Sequence, residues 1–203
     1  MKSTVADEPA SRFQHPSRTS TTAYLPAHAP IVSCVMARAR SFLGFFEFDG
    51  METPQLTKYT VSQEYRAHYD WPPVPWREPL HGNLRFDRFA TFFVYLQANC
   101  TGGSTHFPKV YDIPAINNTK FEVISAKDNV IVNGDNGKRQ EKSLAVRAVA
   151  GNAVFWVNMK DKARGHEKTF HAGMPVTEGT KVGMNIWSRR YLPDEKETEA
   201  GAI

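Results

Sequence analysis

The segment 168–188 reads KTFHAGMPVTEGTKVGMNIWS, and its pattern decides the fold class. A short strand-like run ends at His171, the turn residues Gly173 and Pro175 follow it, and a second run covers 181–188. The second run alternates with a period of two, which is the periodicity of a β-strand. One face carries Lys181, Gly183, Asn185 and Trp187, and the other carries Val182, Met184 and Ile186. The segment therefore predicts two strands separated by a turn, the second with one aliphatic face.

Short strands of the same kind recur along the chain after residue 57. The candidates are 57–61, 65–71, 89–97, 144–150, 153–158, 168–171 and 181–188, separated by clusters of turn residues. Strands at this density indicate a mainly β domain, either a sandwich, a jelly roll or a barrel. The polar stretch 109–142 lies between two strands and is interpreted as a long loop or a hairpin on the surface.

One supporting α-helix is predicted at 30–43. Apolar residues follow Pro30 at helical spacing, Pro30 suits the first turn, and Gly44 suits the end of the helix.

The composition predicts a single globular domain, since the 203 residues are 41% hydrophobic and 12% aromatic. We expect that domain at 18–191, between a disordered polar segment at 1–17 and a disordered acidic tail at 192–203. The formal net charge of +4 comes from scattered basic residues, so nucleic-acid binding is not predicted. Charged residues interrupt the longest apolar stretch, 31–48, so no membrane span is predicted.

A candidate metal site begins with His68 and Asp70, which lie two positions apart in a strand-like run and therefore project from the same face. Alone, the two residues could equally be a hydrogen-bonded surface pair. His171, in an apolar context ended by Gly173 and Pro175, is the candidate third ligand. Two imidazoles and one carboxylate are the ligand set of non-haem iron(II) oxygenases, whereas zinc more often uses other ligand sets.

Lys181 shares the polar face of the last predicted strand with Trp187. A lysine that points into a barrel must meet an anion, because burying an unpaired ammonium group is very unfavourable. A cosubstrate with a carboxylate would supply that anion. On the outside of an edge strand, Lys181 would need no such partner.

A series of short motifs connects these candidates along the chain. They are Tyr59, Tyr65, His68-Tyr69-Asp70, Arg88-Phe89-Ala90-Thr91, Tyr95-Leu96, 102–108 (GGSTHFP), 153–156 (AVFW), 171–176 (HAGMPV) and 181–187 (KVGMNIW). His171 follows Asp70 by 101 residues, Lys181 follows His171 by ten, and Tyr59 precedes His68 by nine. In order and spacing the motifs resemble the catalytic domain of prolyl 4-hydroxylases, over about residues 18–190.

The resemblance implies a double-stranded β-helix, the jelly-roll barrel of iron(II)- and 2-oxoglutarate-dependent dioxygenases. The residues implied to bind iron(II) are His68, Asp70 and His171. The residues implied to bind 2-oxoglutarate are Lys181, which would pair with the distal carboxylate, Tyr59 and Thr105. The residues implied to face the peptide substrate are Arg88, Trp187, Arg18 and Ser20. O2 is implied as the oxidant and L-ascorbate as a further cofactor.

The implied activity is hydroxylation of peptidyl proline with release of succinate and CO2, of the procollagen-proline 4-dioxygenase type. One alternative is a related hydroxylase that acts on another substrate, such as a lysyl residue or a free amino acid. The other is a non-catalytic barrel that retains the metal residues by descent. The compartment stays open: it is the endoplasmic reticulum if a targeting segment is missing from this chain, and otherwise the cytoplasm.

Some positions depart from the family pattern or call for a separate interpretation. Ser62 stands where the family usually has Gly, so the turn before His68 must avoid positive φ or accept a cost of about 1 kcal/mol. Only 17 residues precede Arg18, so the N-terminal support of the barrel is expected to be truncated.

Several other conspicuous residues are expected to have no role in the site. They are Cys34 and Cys100 as separate half-buried thiols, His106 as a solvated side chain, and Trp71, Trp76 and Trp156 as packing groups.

Overall fold

The computed structural model describes residues 18–44, 50–78, 83–111, 120–125, 142–161 and 164–192 of the chain, and its strands form two antiparallel sheets. The predicted N-terminal segment 1–17 lies outside the described residues. So does the predicted acidic tail, except for Leu192, which ends the last strand.

The larger sheet has seven strands. They are β1 (Thr21–Tyr24), β2 (Gly50–Met51), β3 (Gln55–Tyr59), β5 (Trp76–Glu78), β6 (Leu84–Gly102), β10 (Ala153–Val157) and β12 (Val176–Leu192). The order across the sheet is β1-β3-β12-β6-β10, while β2 pairs with β12 and β5 pairs with β6.

The smaller sheet has five strands in the order β4-β11-β7-β9-β8. They are β4 (Tyr65–His68), β7 (Thr105–Phe107), β8 (Phe121–Ser125), β9 (Lys142–Val146) and β11 (His171–Gly173). A 3₁₀ turn, Glu167–Thr169, immediately precedes β11.

The helix α1 (Pro30–Leu43) is confirmed, with Gly44 directly after it. It packs on the outer face of the larger sheet through one cluster of buried residues. The cluster consists of Val32, Met36, Ala39 and Leu43 of the helix and Ala90, Phe92, Met184 and Ile186 of the sheet. Full burial of a large apolar side chain contributes about 1.5–3 kcal/mol, so this face holds the helix in place.

The predicted alternation of β12 is confirmed by what its two faces contact. Met184 and Ile186 belong to the cluster under the helix, whereas Lys181, Asn185 and Trp187 line a cavity bounded by both sheets. Glycine is needed between Lys181 and Asn185, because a Cβ at Gly183 would lie 2.2 Å from the Phe93 ring.

The two sheets face each other as in a jelly roll. Phe93, Tyr95 and Trp156 of the larger sheet pack with Phe107 of the smaller one. Tyr95 Oη lies 2.7 Å from Thr105 Oγ1, so a hydrogen bond also joins the sheets. The mainly β jelly-roll prediction is confirmed, although the described strands form two sheets rather than one closed barrel.

Several segments differ from the sequence predictions. Only His171 of the run 168–171 belongs to a strand, because a 3₁₀ turn precedes it. The strand β5, which starts at Trp76, was not among the predicted strands. β8 lies inside the stretch 109–142 and pairs antiparallel with β9, which agrees with the hairpin alternative for that stretch rather than with a long loop. Residues 112–119 and 126–141 lie outside the described residues.

Three side chains also correct or complete the predictions. His106 is 1% exposed with its Nε2 2.7 Å from Ser143 Oγ, so the prediction of a solvated histidine is wrong, and burial lowers its pKa to about 4. Cys34 is exposed rather than half-buried. Ser62 has a φ of 67°, so the turn before β4 accepts the left-handed conformation.

Among the residues that the structure describes, no helix combines the length and the apolar character needed to cross a membrane.

Candidate active site

β4 and β11 bring the two candidate histidines together. His171 lies directly opposite His68 in the antiparallel pairing, and their ring centroids are 4.4 Å apart. Asp70 follows β4 closely, with Oδ1 3.7 Å from His68 Nε2 and Oδ2 3.8 Å from His171 Nε2. The potential ligand atoms of the three residues all lie within 4.8 Å of one another. The structure thus unites the three residues that the sequence singled out.

Backbone carbonyls determine which nitrogen of each imidazole faces this cluster. His68 Nδ1 lies 2.8 Å from Arg66 O, and His171 Nδ1 lies 2.8 Å from Thr169 O. A carbonyl can only accept, so each Nδ1 carries a proton, and in the neutral tautomer of such a ring the lone pair is on Nε2. Burial lowers the pKa of His171 to about 4, against the opposing effect of Asp70, so this ring is neutral near pH 7.

Asp70 supplies the negative charge of the cluster. Burial disfavours its ionised form, but His171 and His68 outweigh this effect and hold the pKa of Asp70 well below its ordinary range. Two imidazoles that present Nε2 and one ionised carboxylate are the facial ligand set of non-haem iron(II) sites. The donor chemistry and the tautomers therefore fit iron(II).

Lys181 is a buried cation in the same cavity. Its side chain is 0% exposed, and its Nζ donates to Gly103 O at 2.6 Å. Burial lowers its pKa to about 8, and no carboxylate among the described residues forms an ion pair with it. The alternative of an outward-facing Lys181 is therefore wrong. A buried cation in this position favours an anionic ligand.

Tyr59 and Thr105 line the cavity beside Lys181. Tyr59 is the cross-strand neighbour of Lys181 in β3, and Lys181 Nζ lies 4.5 Å from its ring centroid. Thr105 comes from the smaller sheet, where its hydroxyl meets Tyr95. The cavity has a volume of about 310 Å³ and is lined by the three candidate metal ligands and by Lys181.

Arg88 lies on the cavity wall between two indole rings. Its Cζ is 3.7 Å from the Trp187 ring centroid and 4.9 Å from that of Trp76. Glu52 holds the guanidinium group through two hydrogen bonds, from Arg88 Nε at 2.7 Å and from Nη2 at 2.9 Å. Arg88 is therefore fixed in orientation before any ligand binds.

Arg18 reaches the cavity wall, whereas Ser20 supports it from the side. Arg18 Nε donates to Ser20 Oγ at 2.8 Å, and Arg18 Nη1 donates to Gln55 Oε1 at 3.2 Å. Arg18 Nη2 and Trp187 Nε1 are buried donors that have no acceptor among the described residues. Both residues line the cavity.

Sequence reasoning missed several residues of this site. Gln55 accepts from both Arg18 and Asn185, and its position two residues before Thr57 and four before Tyr59 could have placed it on the same face. Trp76 and Trp156 line the cavity as well as packing. Glu52 precedes β3 and carries no local signal of its long-range pairing with Arg88.

The sequence profile of the 2OG-Fe(II) oxygenase superfamily matches residues 54–189, a range that contains the three candidate metal ligands and Lys181. The chain therefore belongs to the 2OG-Fe(II) oxygenase superfamily. The curated relatives that the chain resembles include prolyl 4-hydroxylases, at 27–28% identity. This superfamily implies iron(II) and 2-oxoglutarate as metal and cosubstrate.

Curated relatives are about a quarter identical to this chain over the aligned residues. Prolyl 4-hydroxylase 2 of Arabidopsis thaliana is 27% identical over 84% of the chain, and probable prolyl 4-hydroxylase 4 of the same plant is 28% identical over 92%. The human prolyl 4-hydroxylase subunit alpha-3 is 28% identical over 68% of the chain. The chain spans 52%, 58% and 19% of the lengths of these three relatives, respectively.

Solved structures support the fold. The viral collagen prolyl hydroxylase of Paramecium Bursaria Chlorella virus-1 has a TM-score of 0.58 at 23% identity, covering 86% of this chain and 80% of the viral one. A prolyl-4-hydroxylase from Pseudomonas putida has a TM-score of 0.51 at 16% identity, covering 88% and 75%.

Proposed function

We propose that this protein hydroxylates proline residues of peptides, using iron(II), O2 and 2-oxoglutarate and releasing succinate and CO2. The observation that supports this most is the presence of the His68, Asp70 and His171 cluster and the buried Lys181 in one cavity. L-Ascorbate is proposed as the reductant that keeps the metal in the iron(II) state.

In this reaction the chain would bind and orient the metal and the cosubstrate and would exclude water from the reacting groups. Bound iron(II) would supply the redox chemistry that couples O2 and 2-oxoglutarate to hydroxylation. His68, Asp70 and His171 would hold the metal, and Lys181 would neutralise the distal carboxylate of 2-oxoglutarate, next to Tyr59 and Thr105. Phe93 and Trp156 in the cavity wall would limit the access of water to the reacting groups.

The unpartnered donors of the cavity wall support a peptide substrate. Arg18 Nη2 and Trp187 Nε1 both require acceptors, and an extended peptide offers backbone carbonyls. Proline-rich peptides already adopt the polyproline II conformation, so little ordering entropy opposes their binding. The indoles of Trp187 and Trp76, stacked on Arg88, provide apolar surfaces against which proline rings can pack.

The charge of the cavity favours proline over the alternatives. A lysyl side chain or a free amino acid would bring another ammonium group close to Arg18, Arg88 and Lys181, and like charges in a buried site repel one another. A non-catalytic barrel has no evident need for the complete ligand set together with the buried lysine.

Mass spectrometry and a succinate assay test the proposal. The chain is incubated with iron(II), 2-oxoglutarate, ascorbate and a proline-rich peptide. Matched reactions contain the same peptide with Ala in place of Pro, a lysine-containing peptide, or free proline. We expect succinate and one added oxygen on proline only with the proline-rich peptide. Hydroxylation only of lysine or of a free amino acid would refute the substrate, and no stimulated succinate with any of them would refute the activity.

A further inference from the structure

A series of hydrogen bonds through three buried side chains ends at Asp70. The three are Trp156, Asn158 and Thr91. Trp156 Nε1 donates to Asn158 Oδ1 at 2.9 Å, Asn158 Nδ2 donates to Thr91 Oγ1 at 2.8 Å, and Thr91 Oγ1 donates to Asp70 Oδ2 at 2.7 Å. Thr91 and Asn158 are 0% exposed, so water does not compete for these bonds.

The series has a defined direction because its first member can only donate. The indole N–H of Trp156 takes the oxygen of the Asn158 amide, which turns the NH2 group towards Thr91. Since the Thr91 hydroxyl accepts that bond, its own proton is directed to Asp70 Oδ2. Asp70 Oδ1 then remains on the side of His68 Nε2.

The backbone holds the series rigidly. Thr91 in β6 and Trp156 in β10 are cross-strand partners, and Asn158 directly follows β10. The Asn158 backbone N–H donates to Phe89 O at 2.8 Å, and its carbonyl accepts from His166 N at 2.7 Å. The Trp156 ring also packs on His171, with 4.7 Å between ring centroids. The hydrogen-bonded series therefore runs from Asp70 to Trp156, whose ring contacts His171 on the other strand.

We propose that Thr91, oriented by Asn158, is a positioning residue that fixes the rotation of the Asp70 carboxylate for binding of the metal. This inference rests on the iron site of the proposed function and adds the residues that make the site selective for one carboxylate geometry. Removing a side chain that hydrogen-bonds a metal ligand typically lowers the metal affinity 10- to 100-fold.

Anaerobic titration of the full chain with iron(II), without cosubstrate, tests the inference. Thr91→Val keeps the shape of the side chain but removes the hydroxyl, and we expect its Kd for iron(II) to rise about 10- to 100-fold. Thr91→Ser should restore the affinity to within a few-fold of wild type. Asn158→Ala should give a smaller rise, because Thr91 then keeps its bond to Asp70 but loses the group that orients it.

Thr57→Val is the matched control. Thr57 is also 0% exposed and lies in the same sheet, but its hydroxyl donates to Gly183 O at 3.5 Å and has no connection to Asp70. We expect this variant to lose stability in denaturant unfolding while keeping the wild-type Kd for iron(II).

The outcomes separate the inference from the function on which it rests. If Thr91→Val folds and binds iron(II) with the wild-type Kd, the positioning role is wrong even if the variant is less stable. If Thr91→Val does not fold, an unchanged Kd in Asn158→Ala refutes the role. A wild-type chain that binds no iron(II) would instead overturn the proposed function, and the inference with it.

Discussion

His68 and His171 face each other across the β4–β11 pair, and each directs its Nδ1 to the carbonyl of the residue two positions before it. The same local bond on two strands gives both rings the same tautomer. Because the strands are antiparallel neighbours, both Nε2 atoms then face the Asp70 carboxylate. The histidine part of the site is therefore organised by the backbone before a metal binds.

Replacing His171 with Ala should abolish iron(II) binding and 2-oxoglutarate turnover, since one of three ligand atoms is lost. Metal titration and a succinate assay measure the two effects. His106→Ala is the control, because His106 is equally buried but bonds Ser143 outside the cluster. The control should lose stability and keep iron binding. A His171→Ala variant with stoichiometric iron and full activity would show that the ligand assignment is wrong.

Replacing Lys181 with Ala should raise the KM for 2-oxoglutarate about 10- to 100-fold, since a charge-assisted hydrogen bond is worth about 1.5–3 kcal/mol. Iron(II) affinity should change much less. Steady-state kinetics with varied 2-oxoglutarate make the measurement. Lys58→Ala is the control, because Lys58 lies on the neighbouring strand β3 but is exposed. An unchanged cosubstrate requirement in Lys181→Ala refutes the role.

The stability of the ligand-free protein should depend on pH through Lys181. Burial lowers its pKa from 10.5 to about 8, so between these values the unfolded chain holds a proton that the folded chain has released. The unfolded state then binds more protons, and the contribution of Lys181 to stability rises as pH rises from about 8 to about 10.5.

Urea unfolding of wild type and Lys181→Met at about pH 7.5 and pH 10 measures this contribution. Wild type should gain stability relative to the variant at the higher pH, and 2-oxoglutarate with metal should reduce the gain by supplying a counter-charge. Parallel pH profiles for the two proteins would contradict the prediction.

Replacing Arg88 with Ala should weaken the use of peptide while leaving peptide-independent decay of 2-oxoglutarate nearly unchanged. The variant also leaves the half-buried Glu52 carboxylate without its main partner, which should lower the free energy of unfolding by about 1–3 kcal/mol. Adding Glu52→Gln should restore part of the stability but not the peptide KM. Recovery of both properties in the double variant would show that Arg88 acts on the fold alone.

Replacing Ser62 with Gly should stabilise the protein by about 1 kcal/mol, because Ser62 has a φ of 67° and glycine adopts that conformation without strain. Ser41→Gly is the control, because Ser41 is exposed in α1 and glycine there should destabilise by about 0.5–1 kcal/mol. Chemical denaturation of both variants measures the change in the free energy of unfolding and shows whether each substitution stabilises or destabilises the protein. A destabilised Ser62→Gly would show that the turn carries no strain.

Local sequence patterns were sufficient to predict much of this site. The alternation from Lys181 to Trp187 follows from the pleat of a strand, which depends only on neighbouring residues. The spacing of His68 and Asp70 identified the right pair, but the predicted strand 65–71 was too long: β4 ends at His68, so the pleat of the strand does not place Asp70. The helix at 30–43 was also predictable, since its apolar spacing and its terminal residues are local signals. The resemblance to prolyl 4-hydroxylases then placed His171 with the pair, although 101 residues separate it from Asp70.

The tertiary structure alone decided which polar residues are buried and what they contact. His106 looks solvated in sequence because its neighbours are polar, yet the smaller sheet buries it. Glu52 meets Arg88 and Thr91 meets Asp70 only after strands distant in sequence have paired. The sequence by itself therefore determined the mainly β fold class, the helix and the candidate ligands. The orientation of those ligands depended on hydrogen bonds across sheets, whose partners are chosen by long-range packing and leave no periodic signal in the chain.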